Sequence, residues 1–165
     1  MASTALPAYG GKTLQSGSQG PDVALVQTWL NGIHTQWSAV HTVTVDGRFG
    51  SATAASVKAF QTLENIPVTG KVGSLTWNHL YSRYASLFGE GEIYPGIAMQ
   101  TGQSGATVKS AQIRLKGLIP NLVADGDYGP NTKSAVQSFQ ICQKLTADGV
   151  LGKITWDALY DTITD

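Results

Sequence analysis

Apolar residues recur at three- and four-residue intervals in six stretches of the 165-residue chain. Val23, Val26, Trp29, Leu30 and Ile33 form the first, Ala54, Val57 and Phe60 the second, and Leu75, Leu80, Tyr81 and Tyr84 the third. Val108, Ala111 and Leu115, then Ala135, Val136 and Phe139, then Ile154, Leu159 and Tyr160 repeat the series. Such spacing gathers each set on one helical face, so the pattern predicts six amphipathic helices. Pro21 and Pro130 stand where the first turn of a helix tolerates proline, since the N–H it lacks would be unpaired there. Strand signals are weak: Thr42 to Val45 and Leu122 to Ala124 are short extended runs that make a small ladder at most.

Between the helical stretches one phrase occurs four times: Val45 to Thr53 (VDGRFGSAT), Val68 to Thr76 (VTGKVGSLT), Ala124 to Thr132 (ADGDYGPNT) and Ala147 to Thr155 (ADGVLGKIT). An Asp in this setting accepts hydrogen bonds from backbone N–H groups just after it, and the first Gly supplies a positive φ that a Cβ resists. The second Gly precedes a helical pattern each time. Gly47 to Gly70 and Gly126 to Gly149 share a spacing of 23, and the two pairs lie 79 residues apart. Phe60-Gln61 returns as Phe139-Gln140, and Val23 and Gln27 return as Val108 and Gln112 with an offset of 85. The first copy therefore carries six extra residues between Leu30 and Val45, around His34 to Trp37. The chain reads as mainly α, two tandem small three-helix modules joined by a short docked linker. The expected divisions are an arm at 1–13, modules at 14–84 and 98–165, and a linker at 85–97. Leu87, Phe88, Ile93 and Tyr94 are too apolar for a free linker and are expected to dock on the modules.

Composition narrows the function. The 11 basic and 11 acidic residues balance to a formal charge of +0 without a Lys/Arg cluster, which argues against nucleic acid as a partner. Only 13% of residues are charged, so the surface is built from Ser, Thr, Gln, Asn and Gly, which suits neutral ligands rich in hydroxyls and amides. No apolar run approaches the roughly 20 residues of a membrane span, and the first residues lack a secretory pattern, as in an excised fragment or a parent exported by another route. The lone Cys142, in the place of Leu63, reads as a small buried apolar residue. His34, His41 and His79 have no metal spacing, and His79 reads as a solvated helix residue. Gly10-Gly11-Lys12-Thr13 lacks the strand and leading glycine of a phosphate loop, and Asp125-Gly126-Asp127 lacks the further ligands of a calcium loop. Neither a nucleophile with its base nor a metal triad is visible, so no catalysis and no cofactor are expected.

The paired Asp-Gly loops, the Phe-Gln ending the middle helix, the Thr-Trp-x-x-Leu-Tyr endings at Thr76 and Thr155, and the openings Gly17 to Gln27 and Gly102 to Gln112 resemble the type 1 peptidoglycan-binding domain. The resemblance covers both modules. It implies non-catalytic binding of bacterial peptidoglycan on behalf of a lytic domain in the same parent chain, as in phage endolysins or autolysins, and an extracellular or cell-wall location. An inhibitory or protein-interaction prodomain of a secreted hydrolase is the alternative. Thr69 in place of the loop Asp, and the insert near Trp37, set the first module apart from the second.

The candidate ligand-binding residues are Arg48, Phe49, Gln61, Trp77, Asp125, Asp127, Tyr128, Gln140 and Trp156. For Asp46, Asp125 and Asp148 loop bracing competes with direct contact. Phe49 and Tyr128 either pack in the core or stack on a sugar. Arg48 and Asp127 should face solvent near a groove. Trp77 and Trp156 are helix anchors or groove walls, and Gln61 and Gln140 make a polar contact or lie exposed. Trp37 is a lid over the core or an extra platform for ligand.

Overall fold

The computed structural model describes residues 8–89 and 92–164. Residues 1–7 of the expected arm, Glu90 and Gly91 of the expected linker, and Asp165 lie outside the described residues. Six helices follow in order: α1 (Pro21–His34), α2 (Ser51–Leu63), α3 (Ser74–Phe88), α4 (Ala106–Lys116), α5 (Pro130–Cys142) and α6 (Lys153–Thr164). Each of α2, α3 and α5 is preceded by the second glycine of a repeated phrase at its N-cap, in extended conformation, and α6 begins directly after Gly152. Pro21 and Pro130 open α1 and α5.

Helix α1 packs on α3 and α2, and α4 packs on α5 and α6, so each triplet closes over its own core. The first core centres on Trp29, whose ring meets Trp77 edge-on at 4.9 Å and Tyr81 at 6.1 Å. Val23, Val26, Leu30, Ile33, Val57, Phe60 and Leu80 complete it. The second gathers Val108, Leu115, Leu122, Val136, Phe139, Leu151, Trp156 and Leu159. Among the described residues strand pairing is limited to isolated antiparallel bridges, Leu14 with Val72, Gln19 with Arg48, Met99 with Leu151 and Ser104 with Asp127. The two short runs expected to form ladders are not part of them. The pairing comes instead from the residues before α1 and α4 meeting the repeated loops.

Several apolar positions face outward, contrary to the helical pattern. Leu75 and Ile154 are 50% and 72% exposed, because α3 and α6 turn their neighbours Thr76, Trp77, Thr155 and Trp156 inward. Cys142 and Leu63 are exposed. Both occupy the last helical turn, after which Asn65 and Lys144 take left-handed backbone (φ 57° and 60°) and swing the chain away from the core. The N–H groups of Ile66 and Leu145 return to the carbonyls of Gln61 and Gln140, closing both helix ends in the same way.

The modules also touch each other. Helix α3 runs on to Phe88, Ile93 packs against the first core, and Tyr94 packs against the second, 5.9 Å from Trp156. The Thr28 hydroxyl donates to the Pro95 carbonyl at 3.0 Å. Asp22, in the first turn of α1, accepts from the N–H of Ala106 (2.8 Å) and from the N–H and hydroxyl of Thr107 (2.8 and 2.6 Å). One carboxylate thus caps the start of α4, where unpaired N–H groups and the helix dipole favour negative charge. The approach requires glycine at 105: a Cβ there would lie 2.5 Å from the Asp22 carboxylate.

Candidate functional site

Each repeated loop is held by one buried glutamine from a preceding helix. Gln27 donates to Asp46 Oδ1 (3.1 Å), the Arg48 carbonyl (2.9 Å) and Thr53 Oγ1 (3.1 Å), and its Oε1 accepts the N–H groups of Asp46 and Gly47. Gln112 grips Asp125, Asp127, Thr132 and Gly126 in the same way. Gln61 holds Thr69, Lys71, Thr76 and Gly70, and Gln140 holds Asp148, Val150, Thr155 and Gly149. The loop glycine bonded to each amide oxygen has a φ between 73° and 83°, a conformation that explains its recurrence. A side-chain amide offers two donors and a two-lone-pair oxygen, so a single buried Gln satisfies a whole turn.

The loop aspartates brace these turns. Asp46, Asp125 and Asp148 each accept the N–H two residues on, from Arg48, Asp127 and Val150, at 2.9 to 3.0 Å. The Arg48 N–H, and after it the Gln27 amide, hold the Asp46 carboxyl below the usual carboxylate range. The Asp127 N–H does the same for Asp125 and the Val150 N–H for Asp148, in both cases outweighing partial desolvation. Thr69 performs this job with its hydroxyl, which accepts the Lys71 N–H at 3.1 Å.

Six of the expected ligand contacts are therefore corrected to interior roles. Gln61 and Gln140 are 1% exposed with their amides spent on the loops. Phe49 and Tyr128 lie in the cores at 2% and 3% exposure, and the Tyr128 hydroxyl donates to the Gly149 carbonyl at 2.6 Å. Burial, and secondarily the Asp148 carboxylate, pushes that hydroxyl's pKa up. Trp77 and Trp156 are core anchors, the latter stacked on Tyr160 at 4.0 Å. A ring enclosed by its own core presents no face to a sugar. Trp37 covers the first core, with the Arg83 guanidinium 4.5 Å above its ring. His79 is paired with Glu64 at 2.9 Å, beside the Arg83 contact to the same carboxylate, and is not simply solvated.

Asp125, Asp127 and Arg48 remain at the surface. The loop bearing the two aspartates separates two hollows. One, of about 480 Å³, runs along α5 and is lined by Leu122, Val123, Asn131, Ser134 and Ser138 besides the aspartates. The other, of about 510 Å³, lies at the junction of the modules, with Tyr9, Lys12 and Lys109 on its walls. Both are in the size range of ligand clefts. Arg48 lines neither. Sequence reasoning missed Asn131, Ser134 and Ser138, although aligning the copies shows Ala52, Ala55 and Ala59 at their places in the first module. Among the described residues no three of His, Cys, Asp and Glu converge to hold a metal ion. No described helix is long and apolar enough to cross a membrane.

The model of the peptidoglycan binding domain family matches residues 19–80 and 104–159, one match for each helical triplet. The chain belongs to this family. It is 40% identical over 70 residues to the zinc D-Ala-D-Ala carboxypeptidase of Streptomyces albus G, a stretch that is 41% of this chain and 28% of that enzyme. It is 34% identical over 92 residues to the N-acetylmuramoyl-L-alanine amidase CwlL of Bacillus licheniformis, covering 54% of this chain and 26% of the amidase. The crystal structure of the SleB N-terminal domain is similar over 47% of this chain and 99% of its own length, with 30% identity and a TM-score of 0.41. The chain thus spans under a third of either of these enzymes.

Proposed function

We propose that this chain is a non-catalytic wall-binding region that keeps a peptidoglycan hydrolase, carried in the same parent chain, on its substrate outside the cell. The observation that carries the reading is the groove along α5 in a peptidoglycan-binding fold, edged by hydroxyl and amide side chains and by the Asp125 and Asp127 loop. Such an edge offers hydrogen bonds to neutral sugars and peptides without demanding charge. The staples make the edge rigid, because each loop's N–H groups are tied to a helix through a buried amide. A rigid, prepaid geometry lets weak polar contacts contribute to binding and not to ordering the site.

Purified chain mixed with bacterial sacculi should co-sediment with them and leave their turbidity unchanged. Absence from the pellet at every salt concentration would remove the binding reading. Released muropeptides would remove the non-catalytic one.

A further inference from the structure

We infer that the groove along α5 is a peptide subsite: it takes an extended stretch of the short peptide that branches from the glycan, whereas the homologous wall of the first module lacks the polar groups to bind one. The inference rests on the reading that this chain binds peptidoglycan.

The two copies differ in chemistry at this wall. Helix α5 lines the groove with Asn131, Ser134, Ala135 and Ser138. At the same positions α2 carries Ala52, Ala55, Ser56 and Ala59. Three polar groups of the second module are methyls in the first, and the one apolar position of the second is a hydroxyl in the first. That hydroxyl is consumed internally: Ser56, fully buried, donates to the His41 carbonyl at 2.6 Å. His41 lies in the connection from α1 to the first loop, which is longer than its counterpart after α4.

The end of this connection is held through its backbone. Asn31 donates to the Val43 carbonyl at 2.8 Å and accepts the Val43 N–H at 2.7 Å. The His34 ring meets the Val40 carbonyl at 2.8 Å. Side-chain amides and hydroxyls of α1 and α2 thus read the backbone of residues 40–43, and Val40 drops into the core with no exposed surface. In the second module the connection from α4 to the loop is shorter and itself forms one side of the groove on α5. The place stays open, with Leu122 as its floor, Val123 66% exposed at its side and Asn121 at its rim.

Spacing favours a peptide as the occupant. Ser134 and Ser138 lie one turn apart on α5, roughly 6 Å along the helix. Groups on the same side of an extended chain recur every two residues, about 6.7 Å. Two successive carbonyls or N–H groups of one peptide edge can therefore meet the two hydroxyls in turn, as backbone-directed recognition requires. The exposed Val123 offers small side chains an apolar contact.

The test uses the full chain with soluble probes, a free stem tetrapeptide and chitotetraose, followed by amide chemical shifts. The tetrapeptide should move Asn121, Asn131, Ser134 and Ser138, leave residues 52–59 still, and chitotetraose should move neither set. The triple change Asn131→Ala, Ser134→Ala, Ser138→Ala, which gives α5 the wall of α2, should weaken tetrapeptide binding at least tenfold while melting with the wild type. Shifts from chitotetraose with a silent tetrapeptide would overturn the inference, as would an equal response in α2 or a triple variant that binds unchanged. Retention on sacculi with a silent tetrapeptide removes the peptide subsite and leaves the wall-binding reading standing. A chain that ignores both removes both.

Discussion

The two modules share their glutamine staples and differ in what is packed around them. The first buries Trp29 against Trp77 and Tyr81 and covers its core with the lid Trp37. In the second the counterpart of Trp29 is Arg114, which lies over the Tyr160 ring at 4.3 Å. Tyr94 from the linker closes the rest, and the wall of α5 is left open. Burial has gone further in the first copy, and accessible polar surface has been kept in the second. One repeat has become the better-filled support, the other the better-exposed site, on an unchanged loop scheme. Asp22 then joins the support to the site by capping α4.

The largest effect should test the shared part. Gln27→Ala and Gln112→Ala each orphan the N–H groups and hydroxyl of a buried turn and open a small cavity, so each should lose about 3 kcal/mol in a urea melt. If either variant melts with the wild type, the staples do not hold the loops in that module.

Next comes the joint. Asp22→Ala removes the acceptor for two N–H groups and one hydroxyl at the start of α4 and should cost about 1–2 kcal/mol. Residual dipolar couplings should then show the two triplets losing their fixed relation while each keeps its own fold. Unchanged couplings would mean that the linker contacts of Ile93, Tyr94 and Pro95 suffice.

Ser56→Ala sharpens the difference between the copies. Losing the donor to the His41 carbonyl should cost about 1 kcal/mol and speed hydrogen exchange in residues 40–44, with α5 unaffected. Exchange rates that stay put would show that Val40 anchors this connection without Ser56.

The smallest effect is acid sensitivity. Asp46, Asp125 and Asp148 titrate below their ordinary value of 3.8 in the fold, so the stability they add is present above that value and is lost as pH falls through the lowered one. Because the first module uses Thr69 at one of its turns, it has one such carboxylate and the second has two. Hydrogen exchange below pH 4 should therefore accelerate first in the loops at 125–127 and 148–150 and last at 69–71. A first module that opens before the second would contradict this.

The sequence alone determined the repeat, the six helices, the glycines that end each loop and the two cores, because helical periodicity and turn chemistry are local signals. Phe60 and Phe139 could be placed inside from spacing alone. Positions at helix ends could not: Leu75, Ile154, Leu63 and Cys142 obey the apolar pattern yet face solvent, since a helix's first and last turns project past the core they flank. Nor could the side chains that sequence marked for ligand. Gln61, Gln140, Phe49 and Tyr128 look available as polar or aromatic residues beside a loop, but the same groups that would grip a ligand are used to grip the loop. The Asp22 clamp joins residues more than 80 positions apart, and the groove forms only where the connection after α4 meets the polar wall of α5. Those outcomes depend on which surfaces meet in space, and only the packed tertiary structure decides that.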